Sequence, residues 1–191
     1  AREGHKSAYL LPLTFGGGAS RGCIGLVFRQ GEALNAERAE LALAVAHAWR
    51  LGLWDTRATL RTPLLWVLHF AYAWIPVHLA LRAAAEVGWV TRALAVHALT
   101  VGAIGGLTIG MMVRTARGHT GRPLVADRFE TTSFLLVAAA AVARVFWPLL
   151  VPAQYLTSVL VSTTLWSAGF LLYAWRYWPI LARPRADGLP G

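Results

Sequence analysis

Of 191 residues, 57% are hydrophobic and only 14% are charged, and the mean hydropathy is +0.51; together these exclude an ordinary water-soluble domain and indicate an integral membrane protein. The net charge of +9 is almost all arginine, and the arginines flank hydrophobic runs, so they read as lipid-headgroup and topology signals and not as a nucleic-acid surface. Cys23 is the single cysteine, which excludes an intramolecular disulfide and a thiolate zinc cluster.

The chain opens at Ala1 without a methionine or a signal pattern, which reads as a fragment or a processed product. Residues 1–35 carry two short apolar patches broken by Pro12, Gly16, Gly17, Gly18 and Arg21, and neither patch reaches the roughly 20 residues of a membrane crossing. The expectation is an irregular segment with at most a short strand or helical turn. The glycine triplet lacks a Walker lysine, so it is no phosphate loop.

A helix is expected over 36–53, with Glu37, Arg38 and Glu40 in its first turn, short enough to be a partial span or to lie in the interface. Longer apolar spans follow at 63–85, 91–114, 131–150 and 154–178, each able to cross a bilayer. The fold class is therefore all-α, a polytopic bundle of about four full spanning helices plus one partial amino-terminal helix. If the spans alternate, one side receives Arg50, Arg57, Arg61, Arg114, Arg117, Arg122, Arg128, Arg176, Arg183 and Arg185, and the other only Arg82 and Arg92. This bias predicts that the loop after Arg114 and the carboxyl-terminal tail are cytoplasmic.

The second span holds most of the unusual chemistry. At 100° per residue Ala98, Gly102, Gly106 and Gly110 form one smooth packing ridge, with His97, Val101, Thr108 and Met111 roughly opposite. An intramembrane histidine is costly unless it pairs or works, so His97 is a candidate ligand or proton carrier, whereas Met111 and Met112 taken alone are commonly gap fillers. His97 and Met111 lie about 21 Å apart along a helix and cannot hold one metal. In an antiparallel pair of spans, His69, Met111 and Met112 share one level, with His119 in the adjacent loop, and His78 and His97 share another. Imidazole suits haem iron, copper or zinc, and thioether suits copper or haem. Arg144 sits at the His97 level, where it either snorkels or pairs with an anionic cofactor group such as a haem propionate.

The run HALTVGAIGGLTIGMMVRTARGHTGRPL (97–124), with PLLWVLHFAYAW (63–74) and YWPILARPRADGLPG (177–191), closely resembles the NnrS family of bacterial inner-membrane proteins. The resemblance spans roughly 50–191 and leaves the first 35 residues outside it. It implies a haem- and copper-containing polytopic protein of nitric oxide metabolism and nitrosative-stress tolerance. It further implies that the chain is the carboxyl-terminal portion of an architecture about twice as long, with an absent amino-terminal half as a partner and nitric oxide or a related small molecule as ligand. By matching motif positions, the resemblance implies His69, His97, Met111, Met112 and His119 as metal ligands and Arg114 and Arg122 as cofactor-binding residues. The resemblance favours His69, whereas the depth argument makes His78 the neighbour of His97.

Two other functions compete with a haem and copper protein. One is a transporter whose histidines and Arg144 line a polar path, although no inverted repeat or pair of interrupted helices is evident. The other is a structural or sensory subunit whose glycines pack against a further segment. No paired carboxylates within a span suggest hydrolysis.

Overall fold

A computed structural model describes residues 6–14, 21–29 and 36–188. The first two segments form an antiparallel hairpin, β1 (Lys6–Thr14) and β2 (Arg21–Arg29), in register from Lys6 opposite Arg29 to Thr14 opposite Arg21. This corrects the expectation of an irregular amino-terminal segment. Runs too short to cross a membrane as helices are long enough for strands, and pairing satisfies their backbone groups.

From Ala36 onward the chain is helical. α1 (Ala36–Gly52) is followed by the single turn α2 (Thr56–Thr59), which Asp55 caps through the Ala58 N–H. α3 (Pro63–Glu86) starts with proline at its first position, where no N–H is needed. The next rod comprises α4 (Arg92–His97), a π-helical segment (Ala98–Ile104) and α5 (Gly105–His119). α6 (Arg128–Leu150) and α7 (Tyr155–Leu181) complete the bundle. Pro63–Glu86, Arg92–His119, Arg128–Leu150 and Pro152–Leu181 are long and apolar enough to cross a membrane. The expected all-α bundle with four spans and one shorter leading helix is thus observed.

Cross-helix partners give the topology. Glu40 meets Arg82, His47 meets Tyr72 and Trp54 meets His69, so α1 is antiparallel to α3. Gly102 lies on Trp74, Gly106 on Ala71 and Gly110 on Val67, which sets the α4–α5 rod antiparallel to α3. His97 contacts Arg144 and Arg117 contacts Glu130, so α6 reverses again. Ser162 with Ala140 and Tyr177 with Glu130 align α7 antiparallel to α6.

The glycine ridge is therefore an intrachain packing face. A Cβ on Gly102 would enter the Trp74 ring, and one on Gly106 would strike the Ala71 Cβ, so only glycine permits these two rods to approach this closely. The core separates into two levels. Leu64, Val67, Ile109, Val113, Phe134, Val137 and Tyr177 fill the arginine-rich half, and Trp74, Ala98, Ala103, Ala141 and Val145 fill the other.

The second span runs five residues beyond its expected end at 114. His119 is consequently the last residue of α5 and not part of a loop. The Gly-His-Thr-Gly-Arg order is a helix stop: Gly121, at φ +68°, follows the Thr120 cap, Gly121 N–H donates to Gly118 C=O and Arg122 N–H to Arg117 C=O. The tail docks on this stop through Ala186 N–H to Thr120 C=O and Arg185 to His119 C=O, and a Cβ at Gly121 would collide with Asp187.

Candidate functional sites

Polar chemistry gathers at three stations. At the end of the bundle away from the arginine-rich loops, Arg144 Nη2 lies 2.7 Å from His97 Nε2 and donates to the Tyr155 hydroxyl at 3.0 Å. The guanidinium also stacks over the Tyr155 ring, 5.1 Å from its centroid. His97 sits where α4 passes into the π segment, whose widened turns absorb an extra residue and shift every later side chain around the rod. Nearby, His78 is buried and its Nδ1 is 2.7 Å from Ala95 C=O. The expected shared depth of His78, His97 and Arg144 is present, but His78 is tied to backbone and His97 to Arg144.

The second station lies between α1, α2 and α3. His69 Nδ1 is 2.9 Å from Leu65 C=O, and its ring meets the edge of Trp54, centroids 5.3 Å apart. A backbone acceptor at Nδ1 sets the tautomer with an available lone pair on Nε2, the arrangement used by metal-binding histidines. His47 Nδ1 lies 2.7 Å from the Tyr72 hydroxyl, and Tyr72 also packs on Trp54.

The third station is the arginine-rich end. Thr108, Met111, Met112, Thr115 and His119 line one face of α5 and, with Tyr173 and Leu181 of α7, bound a cleft of about 530 Å³. Met111, Met112 and His119 thus line the same cleft. His69, expected to join them, does not line this cleft. Arg114 reaches Leu64 C=O at 3.5 Å and Arg122 reaches Thr120 C=O at 3.4 Å, so both brace helix ends.

Behind the cleft lies a polar clasp that residue-by-residue reading did not single out. Glu130, fully buried, accepts from Arg117 at 2.6 Å and from the Tyr177 hydroxyl at 2.7 Å, and its other oxygen accepts the Asp127 N–H at 2.8 Å. Asp127 in turn caps α6 through Phe129 N–H and Glu130 N–H and pairs with Arg176. Burial pushes the Asp127 carboxyl up, but hydrogen bonds with Glu130, Phe129 N–H and Arg176 outweigh it and hold the group well below the usual carboxylate range. The Asp-x-x-Glu spacing of a capping box was the available sequence signal.

Among the described residues no three His, Cys, Asp or Glu side chains gather as a metal site. The adjacent thioethers of Met111 and Met112 have the softness that suits monovalent copper, whereas the His119 imidazole lies about 10 Å farther along the same helix and does not complete that set. The lone pair on His69 Nε2 would suit a haem iron. His97 fits less well, because its Nε2 already faces Arg144 and would have to give up that contact.

These features define a multi-pass helical membrane protein with histidine and methionine stations at two depths. The chain belongs to the NnrS family, described as NnrS protein, which it matches over residues 4–185. The match starts inside the first 35 residues, so it takes in the hairpin that the motif resemblance left out. Neither the curated proteins nor the solved structures contain a match.

Proposed function

We propose that the protein is a haem- and copper-binding component of the bacterial nitric oxide response, lying in the inner membrane with its arginine-rich end and tail in the cytoplasm. The observation that carries this reading is that Met111, Met112 and His119 line one cleft along α5, in a chain of the NnrS family. In this reading the Met111 and Met112 thioethers would hold copper, with His119 about 10 Å farther along the same helix and so outside that coordination shell, His69 Nε2 would bind haem iron, and the metals would supply the binding of a small nitrogen oxide. Arg114, on the cleft's helix, and Arg122, just past its end, keep this end positive, in keeping with a cytoplasmic placement.

Metal analysis and absorption spectra of the purified full chain test the proposal. Replacing Met111 and Met112 together by leucine should remove most of the copper and leave haem in place, while His69→Ala should lower haem. Unchanged copper in the methionine variant refutes the cleft assignment. A positive-inside orientation predicts that a reporter fused after Gly191 is active only in the cytoplasm.

A further inference from the structure

We propose that Arg144, with His97 and Tyr155, forms a receptor for a planar oxygen anion, a carboxylate or an oxyanion of similar shape, at the end of the bundle away from the arginine-rich loops. Arg144 is only 9% exposed, which excludes a head snorkelling into water. Among the described residues, ion pairs tie Arg82 to Glu40, Arg92 to Glu86, Arg117 to Glu130, Arg176 to Asp127 and Arg185 to Asp187, and none includes Arg144. The contrast with Arg117 is the most informative, because that guanidinium is buried against a carboxylate.

The hydrogen bonds of Arg144 are also incomplete. Nη2 directs its hydrogens at His97 and Tyr155, while Nη1 is buried and has no partner among the described residues. A buried guanidinium held only by two uncharged groups keeps its full charge, and such a charge within a membrane span marks a place where something binds. His97 and Tyr155 fix the plane of the guanidinium, so its remaining edge presents hydrogens in the fork that matches two oxygens of one planar anion. Tyr155 opens α7 and is 45% exposed, which makes its ring the boundary between Arg144 and the aqueous end.

The same chemistry can come from a free anion or from the carboxylate of a bound porphyrin, and two measurements separate them. The full chain in phosphatidylcholine nanodiscs is titrated with formate, with chloride as a spherical control, while the unfolding midpoint is followed. Bound haem per chain is measured in parallel for the unmodified protein, Arg144→Met and the milder Tyr155→Phe, which keeps the ring. A free-anion site gives a formate-dependent rise that chloride does not reproduce and that falls by at least half in both variants. A porphyrin-carboxylate site gives no formate response but at least a twofold loss of haem in both variants. If formate has no effect and haem content is unchanged in Tyr155→Phe and in any folded Arg144→Met, the proposal is overturned. The formate arm needs no metal, so its outcome is separate from copper content in the methionine variants.

Discussion

Tyr177, near the end of α7, donates its hydroxyl at 2.7 Å to Glu130, in the first turn of α6, joining the two helices 47 residues apart in sequence. Arg117 of α5 shares the same carboxylate oxygen, so one buried acid ties three spans together.

Removing one partner of a buried ion pair leaves the other charge unmatched. Glu130→Ala should cost about 3–5 kcal/mol, while Tyr177→Phe, which removes one hydroxyl and leaves the ion pair, should cost about 1.5–3 kcal/mol. Unfolding midpoints in one detergent check the ranking. Equal effects of the two changes would contradict a charge-centred clasp.

The glycines of α5 and the π segment are not equivalent. Gly102→Ala and Gly106→Ala should destabilise the bundle, because their Cβ atoms meet Trp74 and Ala71. Gly118→Ala meets nothing within 4 Å and should be neutral or stabilising by up to about 1 kcal/mol. Thermal unfolding of the three variants under one condition reads the contrast. A loss in Gly118→Ala as large as in Gly102→Ala would show that space is not the deciding factor.

Asp127 carries an acid-side dependence. Its folded carboxyl titrates below the unfolded value of about 3.9, so its contribution is complete above that value and lost as pH falls toward the folded one. Stability should therefore drop below about pH 4, and Asp127→Asn should flatten part of that slope. Chemical unfolding between pH 3 and 7 tests this, and identical slopes in the two proteins would remove Asp127 as a cause.

Gly121 serves both the helix stop and the tail. An alanine there meets the left-handed backbone penalty, about 1–2 kcal/mol, and its Cβ also displaces Asp187. Faster tryptic cleavage after Arg185 is the expected result. Cleavage at the unmodified rate would mean that the tail does not depend on this contact.

Much of the site was legible because spacing along one helix fixes depth. Fourteen residues separate His97 from Met111, and the structure does keep them at separate stations. The partners were less legible: Tyr155, Tyr177 and the His47–Tyr72 contact come from other helices, and helix rotation determines them. A uniform 100° wheel also cannot foresee the π segment beside His97, because a widened turn changes register without changing composition.

By itself the sequence determined the membrane class, the four spans, the arginine asymmetry and the ridge of small residues, since hydrocarbon requires apolar helices and close packing requires missing side chains. Only the tertiary structure decided that the ridge faces α3, that His69 turns toward Trp54, and that Arg144 meets His97 and Tyr155 but, among the described residues, no carboxylate. The reason is physical: periodicity fixes which residues share a face, but the rotation and pairing of helices, set by contacts between distant segments, decide what that face meets.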